Sequence, residues 1–190
     1  MNRIVLALDI GTNMGWACQL ADGRIQSGGF TLPKGKRQGE RLHAFRVWLV
    51  EQMTKWDGLD AIVWEHAHQQ PGNANEVHHN LVGVLLDFCE RNRVEYHGVE
   101  VATLKAFATG RGTADKDEMV GAARALGYRP GTHDEADAIH LLRYEITGRR
   151  VADLPRLEAA RQKRREQARK RNAKKREAAN QNTKPKRATA

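Results

Sequence analysis

The chain predicts a mixed α/β domain, a β-sheet flanked by helices, carrying a basic C-terminal extension. Two short apolar runs, at residues 4–8 and 61–64, each stop on a carboxylate, Asp9 and Glu65, as buried strands do on reaching a sheet edge. Segments with apolar residues every three or four positions lie between and after them. Charge is also divided unevenly along the 190 residues, which hold 32 Lys+Arg and 23 Asp+Glu for a net +9. Residues 156–190 hold 14 basic and 3 acidic residues, a net +11, while residues 1–155 hold 18 and 20, a net −2.

Residues 3–9 form the first strand, and residues 15–20, an Asp22-Gly23 turn and residues 24–30 continue from it as a hairpin. Leu42, Phe45, Leu49, Met53 and Trp56 make residues 40–56 an amphipathic helix. Residues 59–65 are the second buried strand. Val77, Leu81, Val84, Leu85 and Phe88 mark a helix over 75–92, and residues 94–101 read as a strand. Asp115 and Glu118 have capping-box spacing and Gly127 stands where a helix stops, predicting a helix over 115–126. Thr132 and Glu135 repeat the signature, starting a last helix near His133 that ends near Gly148. Residues 1–155 are thus one domain of ordinary size. Residues 156–190 have almost no large apolar side chain, so they are expected to be disordered or loosely helical.

Cys18 and Cys89 are too few for a disulfide framework and lie in no CxxC spacing, which fits a reduced, intracellular protein. Asp9 cuts the first apolar run short, so neither a signal-peptide core nor a membrane span is expected.

Asp9 is followed by Gly11, Thr12 and Gly15. A carboxylate there can hold a divalent cation, and glycines let a phosphate approach the backbone. The same Asp-x-Gly-Thr pattern opens the phosphate loop of actin-like sugar kinases, and an ordinary polar strand end looks alike, so this motif alone is open. Glu65 ends another buried strand, and in a parallel pair two such ends share one sheet edge. Asp134 and Asp137, at i and i+3, lie on one face of a helix near its N-terminus. Ala136, Ala138, Ile139, Leu141 and Leu142 suggest that this helix packs closely on the sheet, where a carboxylate at 137 needs a partner or an ion. All four are hard oxygen donors with no Cys or His cluster, a set that selects Mg²⁺ or Mn²⁺ over zinc. Two such ions about 3.5–4 Å apart activate water and stabilise the leaving oxygen in phosphodiester cleavage. His66 reads as an ordinary hydrogen-bonding residue, and His78 and His79 as surface positions on the 75–92 helix.

The order strand-Asp9, strand-Glu65, then Asp134-x-x-Asp137 on a late helix resembles the RuvC family of Holliday junction resolvases. Lys105, Gly110, Gly112, Ala114 and Lys116 are similar to the family's Lys and Gly-x-Gly-x-Ala-x-Lys segment, the two lysines standing 11 positions apart. The resemblance covers residues 3–148. It implies an RNase H-like fold and a crossover junction endodeoxyribonuclease of bacterial or bacteriophage type, a cytoplasmic homodimer that cuts four-way or related branched DNA in recombination and repair. It further implies that Asp9, Glu65, Asp134 and Asp137 are the catalytic ligands of two Mg²⁺ or Mn²⁺ ions. Lys105 and Lys116 would lie beside the scissile phosphate, where an ammonium neutralises charge, with Arg111 between them as a DNA contact. Three positions past Glu65 the family tends to carry an aromatic that stacks at the junction. Here His68 stands, able to stack on a base or contact a phosphate. The 75–92 helix resembles the family's dimer-contact helix, although its apolar face is equally explained as core.

The extension lies outside the family core. Arg164, Arg165, Lys170 and Arg171 belong to runs that can neutralise several phosphates and give salt-sensitive, sequence-independent affinity. A broader branched-DNA or RNA-processing nuclease of the same fold is the near alternative. A non-catalytic nucleic-acid-binding module would leave the four carboxylates without a role. An actin-like kinase clamps nucleotide between two duplicated domains, and a globular part of about 155 residues accommodates one.

Overall fold

A computed structural model describes residues 2–66 and 73–147, all within one compact unit, Met1–Gly148. His68 and the extension, with Arg164, Arg165, Lys170 and Arg171, lie outside the described residues. In chain order the elements are β1 (Val5–Asp9), β2 (Asn13–Gln19), β3 (Ile25–Thr31), α1 (Gln38–Lys55), β4 (Ala61–His66), α2 (Asn73–Asn92), β5 (Glu95–Glu100), α3 (Val101–Thr109), α4 (Lys116–Ala125) and α5 (His133–Ile146). Five strands form one sheet in the order β3-β2-β1-β4-β5. β2 runs antiparallel to β1 and β3, whereas β1, β4 and β5 are mutually parallel. The expected mixed sheet with flanking helices is the one observed.

Strand alternation separates two cores. Leu6, Leu8, Met14, Cys18, Ile62 and Trp64 face α1 and α2, meeting Phe45, Trp48, Leu81, Leu85 and Phe88. Val5, Ala7, Ala17, Ala61, Val63 and Val99 face α3, α4 and α5, meeting Leu104, Met119, Ala138, Ile139 and Leu142. The second face offers mostly small side chains, and that lets α5 lie close to the sheet centre. Both cysteines are buried and free. Among the described residues no helix is long and apolar enough to cross a membrane.

The hairpin turn forms as expected, with Asp22 Oδ1 accepting from Arg24 N at 2.9 Å and Gly23 at φ 85°. The 115–118 capping box closes in both directions, at 2.8 and 2.9 Å. At the start of α5 only half of the box forms. Thr132 Oγ1 accepts from Glu135 N at 3.1 Å, but the Glu135 carboxylate accepts from Gly131 N and from the Ser27 hydroxyl of β3. The structure adds one helix to those expected: β5 passes at once into α3, whose N-cap Glu100 makes no side-chain capping bond. Without a Ser, Thr, Asn or Asp stop, residues 101–109 carry no start signal.

Candidate active site

Asp9 and Glu65 are brought together by register and strand parity. β1 and β4 pair in parallel with Leu8 beside Trp64, so the next residues, Asp9 and Glu65, stand side by side at the ends of the two strands. Each lies two positions beyond an α5-facing residue, Ala7 and Val63, and so shares that face.

Asp134 and Asp137 reach the same edge through the approach of α5 to β2. Asp9 pairs with Gly15, and a Cβ at Gly15 would stand 1.8 Å from the Asp134 carbonyl oxygen and 2.4 Å from Glu135 N. Gly15 was expected to admit a phosphate, but the space is filled by the backbone of α5. Its missing side chain therefore places Asp134 next to Asp9. Glu135, turned the other way, ties the same turn to β3 through Ser27 at 2.7 Å. His140, buried one turn beyond Asp137, fixes α5 to α4 by donating from Nε2 to Met119 O at 2.9 Å.

The carboxyl pKa values follow from the convergence. Burial, then the charges of Glu65, Asp137 and Asp134, hold Asp9 well above its usual carboxyl range, against a lowering by Lys116. Burial, then Asp137, push Glu65 up to about 7, with Lys105 opposing and Asp134 adding to the rise. Asp137 is raised to about 6, by burial first, with Lys105 and Lys116 lowering it and Asp134 raising it. Both lysines thus feel the carboxylates, Lys105 from within α3 and Lys116 from the first position of α4, on either side of the segment that joins the two helices. Gly110 ends α3 in the left-handed conformation at φ 81°, and a Cβ at Gly112 would stand 3.0 Å from Ala102 O, so the segment folds back on α3.

The donor chemistry fits a hard divalent cation. All four groups offer oxygen, and Asp137 Oδ1 is buried with no hydrogen-bond partner. Among the described residues, however, no group of three or more His, Cys, Asp or Glu side chains is gathered so that it could hold a metal ion. The carboxylates come near enough to raise one another's pKa without closing into a ligand shell, and like charges resist closer approach until a cation neutralises them.

Arg111 is paired with Glu118 of α4, so its charge is engaged within the protein. His78 was expected at the surface, yet it is 8% exposed, with Nδ1 donating to Ile10 O at 3.0 Å. It anchors the residue after Asp9, and only tertiary packing reveals this, because α2 presents position 78 to the end of β1. His79 is exposed, and exposed His66 lies 3.9 Å from Glu100. Arg41 of α1 belongs to no motif in the sequence. Its Nη2 donates to Thr12 Oγ1 at 3.1 Å, bracing the turn that follows Asp9.

No protein-family model matches the chain, and neither does any curated protein. Among solved structures, Thermus thermophilus RuvC in complex with a Holliday junction substrate is similar with a TM-score of 0.64 at 19% identity, over 74% of this chain and 90% of that one. A second Thermus thermophilus RuvC structure has a TM-score of 0.58 at 21% identity, over 76% and 96%. The sheet order, the flanking helices and this likeness together establish an RNase H-like α/β fold.

Proposed function

We propose that this chain is a divalent-metal-dependent endonuclease that cuts four-way or related branched DNA, acting as a homodimer whose two sites make paired nicks. The reading rests on the convergence of Asp9, Glu65, Asp134 and Asp137 from three elements onto one sheet edge, with Lys105 and Lys116 coupled to the same carboxylates. A buried acidic group repels a phosphodiester unless cations intervene, so such an edge beside lysines suits metal-assisted phosphodiester chemistry. The four carboxylates would hold Mg²⁺ or Mn²⁺. When bound, such ions supply Lewis-acid activation of water and stabilisation of the phosphoryl and leaving oxygens. Lys105 and Lys116 neutralise the scissile phosphate and hold it against the edge. The fold shared with a RuvC in complex with a Holliday junction substrate supports four-way DNA as the substrate class. In the same reading the extension, including Arg164, Arg165, Lys170 and Arg171, binds the DNA backbone without regard to sequence.

The test is cleavage of a mobile four-way junction with Mg²⁺ by wild type and Asp9→Asn. Wild type should cut at symmetric positions on opposed strands, while the variant binds the junction and leaves it intact. Full cleavage by Asp9→Asn would falsify the assignment of the site. His68, standing where the resolvases tend to carry a stacking aromatic, favours a second reading in which the same site accepts a wider range of branched substrates. Comparing four-way, Y-shaped and RNA-containing substrates separates the two, since a dedicated resolvase prefers the four-way junction and nicks it in pairs.

A further inference from the structure

Between Leu32 and Arg41 stand four cations, Lys34, Lys36, Arg37 and Arg41, against one acid, Glu40. Within residues 1–155, whose net charge is −2, this is a local reversal of sign. Other arginines of the domain find carboxylates: Arg3 pairs with Glu95, Arg24 with Asp22, and Arg46 and Arg91 share Asp87. Lys34 and Lys36 are exposed and make no ion pair among the described residues. Arg37 approaches Glu40 at 3.5 Å with its side chain 90% exposed, a geometry that leaves its charge largely available.

The segment is held at the turn that follows Asp9. Leu32 N donates to Thr12 O at 2.9 Å on one side of it, and Arg41 Nη2 donates to Thr12 Oγ1 at 3.1 Å on the other. The chain from 33 to 40 therefore leaves this turn and returns to it. Thr12 is three residues past Asp9, a reach of at most about 11 Å. Arg41 Nε, shielded from solvent, has no hydrogen-bond partner, so the guanidinium keeps a donor that the fold does not satisfy. α1 also covers the face of the sheet opposite α3, α4 and α5. Lys105 and Lys116 thus flank the carboxylate edge from one face, and the 34–41 cations flank it from the other.

We infer that Lys34, Lys36, Arg37 and Arg41 form a backbone-binding surface for the nucleic-acid strand that continues past the carboxylate edge, which crosses from the α3–α5 face to the α1 face. The inference rests on the nuclease reading above and adds a path to it. A strand held at the edge by one phosphate must run on in both directions, and a repeating anion calls for exposed cations on each side. Lysines on a short loop neutralise phosphates without reading bases, so this surface contributes affinity and salt dependence rather than sequence preference.

The experiment uses the full chain in an Asp9→Asn background, so that DNA is bound and not cut. Affinity for a fluorescent four-way junction is measured across a KCl series, with and without Lys34→Ala, Lys36→Ala and Arg37→Ala combined. Removing three phosphate contacts lowers the slope of log K against log[salt] by about 2–3 and weakens binding at least tenfold near physiological salt. Arg124→Ala with Arg129→Ala, which removes charge from the far end of α4, is the control and leaves the slope in place. The altered side chains are exposed, so melting curves should coincide with that of the parent and exclude misfolding. Lys36→Cys carrying a photo-crosslinker should label the junction strand on one side of the nick site. An unchanged slope and no crosslink, in a protein whose wild type cleaves junctions, overturn the inference alone. Failure of wild type to bind or cut any branched DNA overturns the nuclease reading and the inference with it.

Discussion

Glu65 and Asp137 carry carboxyls raised to about 7 and about 6, and Asp9 is raised as well, each through burial first. A folded-state pKa above the unfolded value means that the folded protein binds these protons more tightly than the unfolded chain. The resulting stabilisation is complete below about pH 4, the ordinary carboxyl range, and is lost as pH rises through about 6–7. In EDTA these carboxyls should therefore favour the folded protein at pH 5 over pH 8, by on the order of 1–3 kcal/mol once partial solvent screening is allowed for, against the opposite preference of buried His78 and His140, whose pKa burial lowers. Urea denaturation at the two pH values measures it. Glu65→Gln should flatten the dependence and raise stability at pH 8, and millimolar Mg²⁺ should restore the wild type there by binding only the folded state. Because His78 and His140 are unchanged in Glu65→Gln, a pH dependence between pH 5 and pH 8 that is the same in wild type and in this variant contradicts the convergence of these groups. The same logic makes Asp9→Asn both more stable without metal and inactive, a trade seen where a site is built from repelling charges.

At the scale of elements, the site depends on how closely α5 meets β2. A methyl at Gly15 would overlap the Asp134 carbonyl, and backbone on both sides leaves little room to yield. Gly15→Ala should cost about 3 kcal/mol or more and displace the first turn of α5, lowering Tm and abolishing cleavage together. Ser27→Ala is the milder companion: it removes the hydroxyl that holds Glu135 at 2.7 Å and should cost about 1 kcal/mol. Wild-type stability in Gly15→Ala would show that α5 does not pack on β2 at this point. Here the limits of the sequence are visible. Asp9 and Glu65 could be read because each ends an apolar run, and Asp134 and Asp137 because a cap and a helical spacing place them. What joins them could not be read, because Gly15 beside a strand carboxylate looks the same whether a phosphate or a helix backbone fills the space. α3 lacked a capping signal, and burial of His78 follows from the packing of α2 on the end of β1, a contact between residues 68 positions apart.

For the whole molecule the governing quantity is the division of charge, −2 over residues 1–155 and +11 over residues 156–190. We propose that the domain cuts and the extension supplies most of the electrostatic affinity. An acidic core alone approaches DNA against repulsion, so it depends on exposed cations such as Lys34, Lys36 and Lys116, on half-buried Lys105 and on divalent ions at the carboxylates. Fourteen added cations change the encounter, since each phosphate neutralised contributes about 0.9 to the salt slope on duplex DNA. A chain ending at Pro155 should therefore lose several units of slope and bind junctions at least a hundredfold more weakly near physiological salt. At low salt, where screening is slight and a few contacts suffice, it should still cut with Mg²⁺ at the same positions as the full chain. Cleavage mapped at 20 and 200 mM KCl for both chains measures this. Retained affinity and slope in the shortened chain would place DNA binding within the domain. Loss of cleavage at both salts, with the shortened chain melting as the full one does, would place part of the catalytic work in the extension.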